Sequence, residues 1–326
     1  MREYQVNAIA RVHRGSHEVS ASALARLGAN SLQSELSQVV RFRSRDAHQR
    51  VASMWVTTVK VSPMNTRLFE EAVSLRDSGR MQEAILAFRR LARSTADPQE
   101  RGSIVLNEAA CFVKLGRPTE ARQRMRDAIP LLPDTDEFKL LLEFYDAVLC
   151  VQEGDSEGAV RKMGKILDAH QNLLASEYSE LYEDIQMRRG TLLVQLQRSR
   201  EALPILEEAL SFSASKEPGF YYHVGLCYLD LGRLEEAKSN LRQSLASGSL
   251  SKHWEAKAHY YLGITHGKQR AYAWAKQELE LAASLLSESN LRPEHVYENL
   301  AEICRMLRLR DEARKYRELA RTHRRK

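Results

Sequence analysis

Apolar and small residues recur along this chain in blocks separated by polar turns. Seven twelve-residue phrases carry the pattern: DSGRMQEAILAF (77–88), KLGRPTEARQRM (114–125), QEGDSEGAVRKM (152–163), QLQRSREALPIL (195–206), DLGRLEEAKSNL (230–241), KQRAYAWAKQEL (268–279) and MLRLRDEARKYR (306–317). The eighth place is Ala in all of them: Ala84, Ala121, Ala159, Ala202, Ala237, Ala275 and Ala313. Successive alanines lie 37, 38, 43, 35, 38 and 38 residues apart, the near-constant period of stacked structural units. Twelve residues before each stands a second small residue: Ala72, Ala109, Ala147, Gly190, Gly225, Gly263 and Ala301. Three further on comes a mostly larger, mostly apolar one: Leu75, Phe112, Cys150, Leu193, Tyr228, His266 and Cys304. At 3.6 residues per turn, each period reads as an apolar-faced helix, a short turn and a second apolar-faced helix. Gly79, Gly116, Gly154 and Gly232 mark four of the turns. The small residues fall where two helices approach closely, because a larger side chain would hold the neighbouring backbone off.

This arrangement resembles the tetratricopeptide repeat family over residues 64–326, with small residues at two fixed places and a larger residue between them. The resemblance implies an all-α fold, a right-handed superhelical solenoid of about seven helix-turn-helix repeats. It also implies that the first helices line a concave groove for an extended peptide or a partner's helix. Counted from the small residues, the groove places of the later units are Tyr222 and Leu226, then Lys257, Tyr260 and Ile264, then His295, Glu298 and Glu302. Tyr222 and Tyr260 either offer ring area to a ligand with the hydroxyl kept wet, or pack between helices. Some family members clamp a partner's C-terminal carboxylate with basic and amide side chains. The corresponding places of the first three units hold Phe69, Val73, Asn107, Leu141 and Tyr145, of which Asn107 alone fits, so a clamp of that kind is not expected.

Three departures carry predictions of their own. The long third step, through DAHQNLLASEYSELYED (168–184), is expected to lengthen helices. Pro204 falls within a second helix and predicts a kink or a helix start there, since proline removes a backbone hydrogen bond. Arg317 stands where other units place a hydrophobe. The last helix of an open stack needs a polar outer face, so the basic helix RDEARKYRELARTHRRK reads as the cap of the array.

Residues 1–63 do not follow the repeat. SALARLGANSLQSELSQVVRF (22–42) reads as two short helices about Gly28, and MWVTTVKV (54–61) as strand-like. A helix, a Gly turn and a helix resemble the DNA-binding helix-turn-helix, although Ser34 and Ser37 stand where that motif buries hydrophobes. The expectation for 1–63 is a basic, poorly ordered extension, or a stretch that precedes a translation start at Met64.

Charge sharpens this division. Residues 1–66 hold nine Lys and Arg against four Asp and Glu, and residues 305–326 hold ten against three, while the whole chain is +6, so the stretch between is net acidic. Basic ends suit phosphate contacts with nucleic acid, or simply a capping helix and a solvated tail. Near 18 consecutive apolar residues would be needed to span a membrane, and no such run exists. The N-terminus has no apolar signal core, being interrupted by Arg11 and Arg14. The expectation is a cytoplasmic protein with no membrane partner.

Candidate chemistry is sparse. Cys111, Cys150, Cys227 and Cys304 lie far apart at apolar places of first helices, where small hydrophobes are wanted. His259 and His266 share a helical face in HWEAKAHYYLGITH, but no HExxH or paired Cys supplies further ligands for a metal. Glycine-rich phosphate loops and a GxSxG elbow are absent, and most carboxylates sit on exposed faces in EA phrases. No cofactor or catalytic set is therefore expected. The reading is a non-enzymatic adaptor or scaffold that binds a peptide or protein. The alternative is a peptide-sensing transcriptional regulator whose basic N-terminal segment contacts nucleic acid.

Overall fold

In a computed structural model, residues 63–212, 218–246, 251–289 and 291–324 are described. The expectations for residues 1–62, including the two short helices, the strand-like stretch and the unordered extension, lie outside the described residues. Among the described residues fifteen α-helices follow one another. Seven helix pairs form the units: α1 (Pro63–Asp77) with α2 (Met81–Ser94), α3 (Pro98–Lys114) with α4 (Pro118–Ala128), and α5 (Asp136–Gln152) with α6 (Ser156–Ala169). A short helix, α7 (Gln171–Ser176), precedes α8 (Ser179–Gln195) and α9 (Ser199–Phe212). The last three pairs are α10 (Pro218–Asp230) with α11 (Leu234–Ala246), α12 (Lys252–Lys268) with α13 (Tyr272–Ser284), and α14 (Pro293–Met306) with α15 (Arg310–Arg324). The architecture is an all-α superhelical solenoid of seven helix-turn-helix units.

The turns between paired helices share one geometry. The third place of each phrase has positive φ: Gly79 (83°), Gly116 (67°), Gly154 (84°), Gln197 (59°), Gly232 (74°), Arg270 (61°) and Arg308 (62°). This left-handed residue lets the next N–H reach back five residues, as in Arg80 N to Leu75 O at 2.9 Å and Arg233 N to Tyr228 O at 2.8 Å. Carbonyls orphaned at the end of the first helix are thereby satisfied. The following helix starts beside an exposed Arg–Glu pair in four units, among them Arg198 Nη2–Glu201 Oε2 at 2.7 Å and Arg233 Nη2–Glu236 Oε1 at 2.8 Å. In the third unit Asp155 takes that place and accepts a hydrogen bond from Gly158 N at 2.8 Å.

First and second helices differ in depth. α3 buries thirteen of its seventeen residues, while α4 buries three of eleven. α12 buries twelve of seventeen, while α13 buries three of thirteen. First helices are thus enclosed by their own partners and by neighbouring units, and second helices form the outer layer. A second helix needs one apolar stripe: α2 inserts Ala84, Ile85, Phe88 and Leu91, and its other faces are mostly polar, with Leu86 exposed among them.

Two expectations change here. The long step at 168–184 inserts the separate helix α7, whose Leu174 is fully buried, instead of lengthening its neighbours. Pro204 does not start a helix: α9 begins at Ser199 and runs through it. The proline lies on the exposed face, where solvent can meet the carbonyl it leaves without an amide partner. In α15, Arg317 is exposed together with Arg310, Arg314 and Arg321, while Ala313 and Ala320 are buried.

Candidate peptide-binding wall

The groove residues read from the sequence all lie on the first helices α10, α12 and α14. Tyr222 and Tyr260 are enclosed, at 1 % and 0 % exposure. Tyr222 packs edge-on against Trp254 and Tyr261 of the next unit, with ring centroids 5.2 and 6.1 Å away. The Tyr260 hydroxyl accepts a hydrogen bond from Asn299 Nδ2 at 3.0 Å. Both rings thus make contacts between neighbouring units.

Lys257 is also buried, its ammonium 4.8 Å from the Trp254 ring centroid, a cation–π arrangement. Burial and the Lys257 charge together push the neighbouring His253 down to about 4. Leu226, Ile264 and His295 are buried, and burial lowers the His295 pKa. Glu298 and Glu302 are half-buried and paired, Glu298 with Arg324 of α15 and Glu302 with Arg305 at 2.6 Å. The wall thus mixes packed aromatics with polar groups held in place.

Further polar side chains sit at depth on first helices, and Arg76, Asp184, Arg188 and Asn299 were not singled out from the sequence. Arg76, 1 % exposed, donates through Nη1 to Asn107 Oδ1 of the next unit at 2.6 Å and through Nε to Asp77 Oδ1 at 2.9 Å. Asn107, the residue that fits a carboxylate clamp, is thereby engaged within the protein. Arg188 donates to Asp184 Oδ2 at 2.6 Å, one helical turn away. Among the described residues, Arg76 Nη2, Arg188 Nη2, His295 Nδ1 and Asn299 Oδ1 are buried without a hydrogen-bond partner. For Arg76, Asn107, Arg188 and Asn299 the signal in the sequence was a charged or amide residue two to four places from the small residue of a first helix.

The cysteines occupy the core. All four are buried and free, and burial pushes the Cys111 and Cys227 thiols up to about 12. His259 bonds Glu278 Oε2 at 2.7 Å through Nδ1, and His266 lies 6.5 Å from the Trp274 ring. Among the described residues, no group of three or more His, Cys, Asp or Glu has an arrangement that could hold a metal. None of the described helices is long and apolar enough to cross a membrane.

Comparison with known proteins follows the same lines. Tetratricopeptide repeat family models match residues 69–136 and residues 218–247. No curated protein matches the chain. Among solved structures, the apo form of RapI is similar, with a TM-score of 0.63 at 14 % identity over 80 % of this chain and 76 % of that one. The C-terminal part of a TPR repeat-containing protein from Cytophaga hutchinsonii has a TM-score of 0.54 at 15 % identity, over 76 % of this chain and 92 % of its own. A tetratricopeptide repeat protein from Parabacteroides merdae has a TM-score of 0.52 at 15 % identity, over 79 % and 92 %. At such identities the likeness is one of fold. Repeat matches in these two stretches, turn geometry and helix pairing together show that the chain carries tetratricopeptide repeats and has their fold, which supports a scaffold for protein interactions.

Proposed function

We propose that the array is a non-enzymatic adaptor that holds an extended peptide or a partner's helix against the wall of first helices. The observation that carries this reading is the pair of half-buried carboxylates, Glu298 and Glu302, on the first helix α14. Polar side chains that are partly open beside buried apolar ones suit a partner segment that brings both hydrogen-bonding groups and apolar area. In this reading Tyr222, Leu226, Tyr260 and Ile264 set the shape of the wall. Lys257, His295, Glu298 and Glu302 give it charge and polarity.

Selection of displayed peptides on the full-length protein, followed by titration of the selected sequences, tests this. Peptides held by the wall lose at least tenfold in affinity for a His295→Ala, Glu298→Lys, Glu302→Lys variant whose helical circular dichroism is unchanged. Equal binding to this variant and to a matching Arg188→Met variant rejects the wall as the site.

A further inference from the structure

Between α2, α3 and α4 the surface opens into a cleft of about 520 Å³, lined by Arg89, Ala92, Arg93, Arg101, Val105, Glu108 and Arg124. Four guanidinium groups face one carboxylate there. Glu108 is buried, with a side-chain exposure of 2 %, and its Oε1 accepts from Arg89 Nε at 2.6 Å and pairs with Arg124 Nε at 3.2 Å. The carboxylate therefore orients two arginines by their inner nitrogens and leaves their outer ones for other work. Arg124 Nη1 makes one further pair, with Asp127 at 3.1 Å, while among the described residues Arg89 has no partner for either terminal nitrogen. Phe112 supports Arg89 from beneath, its ring centroid 5.8 Å from the guanidinium carbon.

Arg93 and Arg101 complete the cleft, and among the described residues neither has a carboxylate partner. Long cationic side chains normally spread into solvent or find surface acids. Here two are held by a buried Glu and two more converge on the same space, so that with Glu108 and Asp127 counted two positive charges remain in excess. A guanidinium presents its donors as a rigid fork matched to paired oxygens. A single carboxylate is met by one such fork. A phosphate monoester dianion, with three acceptor oxygens and close to two negative charges, is matched by several. Ala92 and Val105 supply an apolar strip for whatever carries the phosphate, and the volume exceeds that of the bare anion.

We propose that this cleft is a phosphate-monoester site. It draws on the second helices α2 and α4 and on α3 near its start and middle, and it shares no residue with the proposed peptide wall, so it stands whatever that wall holds. The phosphate belongs either to a phosphorylated side chain of a partner protein or to a small phosphorylated metabolite. Both present the same group to the same four arginines.

The test titrates the full-length protein at constant ionic strength with O-phospho-L-serine and with a phosphoserine heptapeptide and its unphosphorylated twin. Arg93→Gln, Arg101→Gln serves as the site variant. Arg314→Gln, Arg317→Gln, on the exposed face of α15, serves as the charge-matched control. Phosphorylated probes are expected to bind the wild type and the control alike and to lose at least tenfold in affinity for the site variant. A phosphopeptide at least tenfold tighter than O-phospho-L-serine assigns the site to a phosphoprotein, and the reverse order or equality assigns it to a metabolite. Competition by acetate as effective as by phosphate overturns the proposal. So does equal loss in the control variant, absence of binding, or displacement of the phosphopeptide by a short oligonucleotide at lower concentration, which would mark a general polyanion surface.

Discussion

Gly263 in α12 faces Leu279 in α13 so closely that a Cβ on the glycine would lie 2.7 Å from the leucine Cγ and 3.2 Å from the Ala275 carbonyl oxygen. The same relation holds for Gly225 with Leu241 at 2.9 Å and for Gly190 with Leu206 at 2.5 Å. Sixteen residues separate the partners in every unit, and the pairing is selective: Gly stands opposite Leu in three units, and Ala stands opposite Phe88, Met125, Met163 or Arg317 in the others. A branch at Cγ projects a methyl toward the first helix, where a planar ring or an unbranched chain can lie alongside. Gly263→Ala is therefore expected to destabilise the protein. Overpacking costs about 1–3 kcal/mol, and the better helix propensity of Ala returns only about 1 kcal/mol. Adding Leu279→Met is expected to recover most of the loss. Urea unfolding of both single variants and the double variant measures the coupling, and a double variant equal to the sum of the singles would refute the contact.

The seven left-handed turns offer an independent test. Gln197, Arg270 and Arg308 hold φ near 60° where four sister units use Gly. An L-residue pays about 1–2 kcal/mol for that conformation, and Gly returns part of this by its greater freedom in the unfolded chain. Replacing each of the three with Gly is expected to stabilise the fold by about 0.5–1 kcal/mol. Gly232→Ala is expected to lower stability by a similar amount. Denaturant midpoints decide, and a neutral triple replacement would mean that the Gln and Arg side chains offset the backbone strain.

Acid should weaken the array before most carboxylates are protonated. Burial and Lys257 push His253 down to about 4, and burial lowers His266 and His295. The unfolded chain, with histidines near their ordinary 6.5, then binds more protons than the folded one, so stability is present above pH 6.5 and is lost as pH falls toward 4. Urea midpoints measured at pH 7.5, 6 and 5 are expected to decline, and His253→Gln is expected to flatten part of the slope. A midpoint constant over that range would contradict the prediction.

The division between what the residue order determined and what packing decided is clear in particular elements. The period of Ala84 to Ala313, the small residues before them and the turn positions are local quantities, because helix amphipathicity and a left-handed turn are written within a dozen residues. They were sufficient for the helix pairs and the seven units. Arg270 and Arg308 could be aligned with the turn glycines by register alone. The edge-on contacts of Tyr222 with Trp254 and Tyr261 and the bond from Asn299 to Tyr260 could not be read, since each joins residues of different units. The separate helix α7 is likewise a matter of where Leu174 finds cover. Nor does any local pattern join Arg89, Arg93, Arg101 and Arg124 into one cleft around Glu108. Those side chains come from three helices, and electrostatic convergence across helices is set by tertiary distance, which a linear period does not contain.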